Sequence, residues 1–504
     1  MTETEEQPVN NQPALLISDA AGGSALEQLG QQDDKTGPAV VLSSREFTMV
    51  LLGLAMAVLM ASLDATIVST ALKAVVAEFG RQDLIPWVGS SYLLTSAPFG
   101  IMYGKLADLF GRKGVFVFAM IVFELGSLVC AAAPNMSILI LGRAVAGIGG
   151  GGIFTIAFII ISDIAAIKDR AKYQGIVGGV YGLATIIGPL VGGYFADHVT
   201  WRWCFYINLP IGAVAVPAVI WSLRLPSPEG SFLEKFKRVD MPGVFLVFAI
   251  IAAVITPTQF GGSVWAWSSP QVICLYILTA LLIAAFVYVE RFIAKEPIVP
   301  PSLFSQNTSI PAIMIAGLAV GAAFVGAIYY ISLFFQIVNG DSATVGGVKA
   351  VPLIFGHVTL SIVTGVVIVF DCRNFPHATG LAQTSVPLGG AFGIAISGAL
   401  FNNIIASDID NYPILTNAIA QLQANGIEIQ PTEVLPLSQL LTTLDFVTNG
   451  VQANADLIHV FNGAFKIAYL SLLAYPLIIL FVAFLIKEYR VGEGDTKREI
   501  SMAV

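Results

Sequence analysis

Three charged side chains interrupt runs that are otherwise apolar. Asp64 lies in Leu63-Asp-Ala-Thr-Ile-Val-Ser-Thr-Ala-Leu72, Glu124 in the run 115–133, and Arg143 in Leu141-Gly-Arg-Ala-Val-Ala-Gly-Ile-Gly-Gly-Gly-Gly152. A charge inside a membrane span costs about 3 kcal/mol on insertion scales, which makes each a functional candidate by default. A carboxyl held away from water can take up and release a proton, and a nearby guanidinium can govern when it does so. Asp64 lies six residues from the expected far end of its run, and Arg143 six from the same end of its own. At 1.5 Å per residue both would be about 9 Å deep, close enough to pair across a bundle. Asp64 is expected to titrate and Arg143 to tune it; the competing reading is a static ion pair that packs two helices. Glu124 is the tenth of nineteen residues in its run, with no basic residue in that run to neutralise it. It holds a proton, faces a cavity, or hydrogen-bonds a neighbouring helix.

The elements that carry these residues are set by composition. Of 504 residues 56% are apolar and 12% charged, against about 25% charged in soluble domains. A span takes about 20 apolar residues. Twelve runs qualify: 47–70, 87–104, 115–133, 137–163, 175–195, 205–223, 242–260, 271–290, 310–333, 346–369, 378–402 and 463–486. The sequence predicts an all-α polytopic membrane protein. With the N-terminus inside, 19 of 25 Lys and Arg fall on the cytoplasmic side and five outside, with Arg143 within a span; the positive-inside rule then places both termini in the cytoplasm. Residues 1–45 are polar with no apolar signal region, and read as a disordered tail. The longest outer loop, 403–461, holds six acidic residues and no Lys or Arg. The sequon at Asn135 lies on the outer side against the membrane; that at Asn307 lies on the cytoplasmic side. A net charge of −8 offers no footprint for nucleic acid. Four scattered cysteines show neither metal nor disulfide spacing. Gly147-Ile-Gly-Gly-Gly-Gly152 satisfies G-x-G-x-x-G, but it lies inside an apolar run without a preceding strand, so a dinucleotide site is rejected. No Walker loop, metal cluster or nucleophile motif is found. No enzyme and no cofactor are expected.

Five motifs together carry a resemblance. Gly104-Lys-Leu-Ala-Asp-Leu-Phe-Gly-Arg-Lys-Gly114 links two apolar runs as a short basic turn, in which Gly111 supplies the positive φ and Asp108 can pair with Arg112. It resembles the loop between helices two and three of the major facilitator superfamily. The stretch around Asp64 resembles the first-helix motif of the fourteen-helix drug:proton antiporters, and that around Arg143 the fourth-helix motif linked to proton coupling. Gly188-Pro-Leu-Val-Gly-Gly193 resembles the Gly-Pro-x-x-Gly-Gly motif of proton-driven exporters, and Trp201-Arg-Trp-Cys-Phe-Tyr-Ile-Asn-Leu-Pro210 a segment of the same group. The resemblance implies a major facilitator fold of two pseudo-symmetric bundles that export a small hydrophobic compound, such as a fungal secondary metabolite, toxin or drug, against inward proton flow. It assigns proton coupling to Asp64 and Arg143; Glu124 is grouped with them as a proton-coupling or cavity residue on its mid-membrane position alone. The resemblance assigns a conformational latch to Gly104, Asp108, Gly111, Arg112 and Lys113, and the antiporter helix motif to Gly188, Pro189, Gly192 and Gly193. Leu109 and Ala146 depart from the family, replacing a basic residue and a Gln. The implied division is a tail 1–45, a six-helix bundle 46–223, a linker with two additional helices 224–300, a C-terminal bundle 301–490 and a tail 491–504. The expected protein is monomeric, in the cell membrane or that of the vacuole, with a small molecule and protons as partners.

The C-terminal half departs from this pattern. After Ile368, Val369-Phe-Asp-Cys-Arg-Asn-Phe-Pro-His-Ala-Thr-Gly-Leu381 follows almost at once, and in the family that sequence precedes the thirteenth helix. About two spans are then absent, through a mispredicted splice junction or as a short isoform. Uptake of a siderophore or nutrient, and a membrane protein that transports nothing, are the alternatives.

Overall fold

The computed structural model describes residues 43–409 and 451–483, apart from breaks at 82–83, 224, 226–234, 236–238, 263–264, 295–308 and 370–375. The tails at 1–42 and 484–504, the centre of the loop expected at 403–461 and the junction at 370–375 fall outside these residues. Among the described residues twelve helices follow one another, one at each expected span.

Helix α1 (Ser44–Phe79) starts at a capping box, in which Ser43 and Glu46 satisfy each other's backbone N–H, and stops at Gly80, φ +70°. Helix α2 (Ile85–Phe110) and α3 (Arg112–Ala131) are separated by Gly111 alone, φ +94°. The eleven-residue turn expected at Gly104–Gly114 is therefore mostly helix: Lys105, Leu106 and Ala107 favour helix, and a single glycine reverses the chain. Helix α4 (Met136–Ile164) is capped by Asn135, whose side chain accepts from Ile138 N–H. Helix α5 (Ile167–His198) carries Pro189 in its interior. Helix α6 is Trp203–Tyr206 continued by Asn208–Ser222. Helices α7 (Met241–Phe260), α8 (Pro270–Tyr288, extended by a π turn over Val289–Ile293), α9 (Ser309–Ile337), α10 (Ala343–Val369) and α11 (Pro376–Ile409) follow. Last comes α12, Val451–Leu472 continued by Ala474–Ala483.

Three expected boundaries move. Helix α1 runs past residue 70 because Ala71 to Ala77 still favour helix. Asp64 is thus fifteen residues from its end (79 − 64), not six. Helices α11 and α12 both project into the loop expected at 403–461.

Ten helices among the described residues are long and apolar enough to cross a membrane. Of the other two, α2 is made more polar by Ser90, Ser91, Thr95 and Ser96, and the later part of α10 has side chains outside the description. Over Pro270–Tyr288 helix α8 buries only Val272 and Thr279. A helix apolar on all faces yet open to its surroundings is stable only in lipid.

Helices α1 to α6 pack on one another, with α1 against α4, α5 and α6, and α4 against α2 and α3. Helices α9, α11 and α12 form a second group, joined by Phe334, Phe401 and Phe465; the last two rings lie 4.6 Å apart. The groups meet where α5 touches α10, α2 touches α11, and α1 touches α9.

Candidate functional site

Asp64 and Arg143 meet in the centre of the first group. Arg143 Nη1 donates to Asp64 Oδ2 at 2.5 Å, and both side chains are almost wholly buried. Arg143 Nε donates to Val88 O at 3.1 Å, and its guanidinium lies 4.5 Å from the Tyr92 ring and 5.8 Å from that of Phe205. Asp64 Oδ1 accepts from Asn208 Nδ2 of α6 at 3.0 Å, and the same nitrogen donates to Ser127 Oγ of α3 at 3.1 Å. Side chains of α4 and α6 thus bond the α1 carboxylate, and α3 joins them through Asn208. The pair forms although α1 projects much further past Asp64 than expected, so equal distance from the helix ends is not what brings the two residues level.

Glu124 does not join this pair. Its carboxyl faces Gly212 of α6, where a Cβ would overlap it, and neither oxygen has a hydrogen-bond partner. It sits on the same face of α3 as Ser127, three residues on. The glycine run rejected as a nucleotide site lies inside α4, where Gly147 and Gly151 meet the α2 backbone and Gly149 that of α3.

At the α2–α3 break, Arg112 pairs with Asp108 at 2.7 Å and Asp163 of α4 at 2.9 Å, and donates to Ala107 O at 3.1 Å. Gly104 faces Thr155 and Ile159 of α4, and Lys113 is partly exposed. All of these bonds stay within α2–α4.

The Gly-Pro motif of α5 is a packing surface. Gly188 and Gly192 press on Thr66, Ile67 and Thr70 of α1, and Gly193 on Ala343 and Thr344 of α10, while Gly347 of α10 approaches Pro189 O. One turn further, Asp197 caps α10 across the two groups. Its carboxylate accepts from Ala343 N at 3.1 Å, Thr344 N at 2.7 Å and Thr344 Oγ1 at 2.6 Å. Lys73 Nζ donates to Gln336 O at 3.1 Å, Gln336 Nε2 to Thr70 O at 3.3 Å, and Tyr329 OH to Ile85 O. These bonds gather at the end of the molecule where α1, α5 and α9 finish. Asp197→Ala removes three of them. Spin labels at Tyr194 and Val348, both about half exposed, should then show a second, longer distance population; an unchanged distribution would count against Asp197 as a tie between the groups.

Sequence reading missed Asn208, Ser127, Asp197 and Gln336. Asn208 was legible only as part of the aromatic run Trp201–Pro210, although an amide in an apolar span is itself a signal. Nothing local marks Asp197, whose partner is 146 residues away.

The sequence profile of the Major Facilitator Superfamily matches residues 54–370, and the chain belongs to that superfamily, as a multi-pass, all-helical membrane protein. It is 38% identical over 327 residues to an MFS-type efflux pump of Arthroderma benhamiae, covering 64% of this chain and 61% of that one. It is 37% identical over 331 residues to the efflux pump aflT of Aspergillus parasiticus, covering 65% and 64%. To the MFS-type transporter phomT of Diaporthe leptostromiformis it is 38% identical over 354 residues, covering 69% and 59%. The chain therefore matches about three fifths of the length of these relatives. The superfamily match ends at 370, where the sequence pattern breaks.

Proposed function

We propose that this chain is a proton-coupled exporter of a small hydrophobic compound, working by alternating access between a bundle at 46–223 and one at 301–490, with 224–300 linking them. The observation that carries the reading is the buried Asp64–Arg143 pair at the meeting of four helices. A buried pair of this kind is an expensive way to hold helices together, since apolar residues of similar volume often do as well or better; a proton that must bind there explains its presence. Relatives named as efflux pumps favour export over uptake. Glu124 is a second carboxyl for the proton path, held apart from Arg143.

The positive-inside orientation puts both termini in the cytoplasm, and the bonds from Asp197, Lys73 and Gln336 then lie on the outer side. On that orientation this is an outward-sealed conformer, and among the described residues the bonds at the latch of Gly104, Asp108, Gly111, Arg112 and Lys113 run within α2–α4. Cargo would enter from the cytoplasm, and proton arrival at Asp64 would accompany the return. Loss of preloaded rhodamine 6G from a pump-deficient fungal host tests direction. Faster loss on expression of the chain is the expected result, and accumulation would contradict export.

A second reading has one observation in its favour. The superfamily match stops at 370, and on the reading that about two spans are absent beyond it the C-terminal bundle would lack helices that line the cavity. Transcript sequence across codons 360 to 380 separates the readings. A longer message with two more apolar spans identifies the transporting form, and a message matching this sequence favours a protein that reaches the membrane and moves nothing.

A further inference from the structure

We propose that Asn208 is a positioning residue that partners Asp64 in both of its protonation states, by turning its amide end for end. The proposal rests on the reading that Asp64 exchanges a proton, and deepens it. In the present arrangement Asp64 is fully supplied as an anion: Arg143 Nη1 serves one oxygen and Asn208 Nδ2 the other. A protonated carboxyl needs the opposite, an acceptor. Arg143 has only donors. The other charged or titratable groups in electrostatic reach of Asp64 are Tyr92 on α2, Glu124 and Cys130 on α3, and Cys204 on α6; none of them hydrogen-bonds it.

The missing acceptor is on Asn208 itself. Its Oδ1 is buried and has no partner, although the residue is wholly enclosed. Leaving a buried polar atom unpaired is costly, and here the orphan belongs to the amide that touches Asp64. Rotation of that amide by half a turn brings Oδ1 to where Nδ2 now sits, between Asp64 and Ser127. A carbonyl oxygen has two lone pairs, so it accepts from the new Asp64 O–H and from the Ser127 O–H together. Ser127 changes from acceptor to donor in the same step. The only bond made is the O–H on Asp64, by a proton from solution. An ionised Asp could only accept at this position, and Leu could do neither. The α1–α6–α3 contact is thus kept in both states. The contact that protonation weakens is the one to Arg143 on α4.

The test is pH-difference infrared spectroscopy on the purified full chain in lipid nanodiscs, without cargo. The carboxyl C=O band that appears on acidification and is absent in Asp64→Asn belongs to Asp64. In Asn208→Leu that band should move to higher wavenumber, because its O–H no longer donates. An Asp64 band at the same position in both proteins overturns the proposal. Wild-type protein carrying 13C-labelled asparagine supplies a second reading that does not depend on the variant's folding. The asparagine amide band should shift with the same midpoint as the Asp64 band, and an asparagine spectrum silent across that transition also overturns it. If no acid-induced band is lost in Asp64→Asn, the reading of Asp64 as the proton carrier fails first, and this proposal with it.

Discussion

Asp64→Asn should reduce proton-driven export to the level of cells that lack the chain, while the protein reaches the membrane in normal amount. The amide keeps the volume of the carboxyl, and its oxygen can still accept from Arg143, so α1, α4 and α6 keep their packing at a smaller cost than Arg143→Met imposes, even though the Arg143 charge loses its counter-ion. What it cannot do is carry a proton. A role limited to helix packing predicts a different outcome: export retained, with at most a modest loss of stability. The two are separated by measuring rhodamine 6G efflux and membrane abundance on the same cells. Normal efflux in Asp64→Asn would remove Asp64 from the mechanism.

Arg143→Met should be the most damaging single change to stability in the first bundle. It leaves the Asp64 carboxylate enclosed with only Asn208 as donor and removes the cation from the faces of Tyr92 and Phe205. Breaking a buried pair from one side costs about 3–5 kcal/mol, whereas replacing both partners by apolar residues is often neutral. Asp64→Leu combined with Arg143→Met should therefore recover most of the loss in thermal unfolding of detergent-purified protein, with a coupling energy of at least about 1 kcal/mol. Additive losses in the double variant would show that the two residues do not act as a pair. The double variant should be stable and inactive, which separates what the pair does for folding from what it does for transport.

Much of this was legible in the residues because a membrane leaves few options. Backbone groups in lipid must bond within their own helix, so apolar runs of sufficient length become helices, and over the described residues a helix lies at each of the twelve expected spans. The ends were less legible. Composition alone cannot show that α1 continues through Lys73 and Glu78, since both reach polar partners, Gln336 and the Trp201–Arg202 pair. The stretch at Gly104 read as a loop because it is charged, yet charge does not break a helix and only Gly111 does. At the site, Asp64 and Arg143 stood out as charges in apolar runs. Asn208, Asp197 and Gln336 did not, because their meaning lies in partners 144, 146 and 266 residues away.

The central claim is that cargo and proton movement are coupled in opposite directions through Asp64. Inside-out vesicles with an acidic lumen, loaded with a pH-reporting dye, test it most directly. Adding rhodamine 6G should let protons leave the lumen in vesicles bearing the chain, with no such change for Asp64→Asn. Rhodamine movement that leaves the lumenal pH untouched in the wild-type protein would contradict proton coupling.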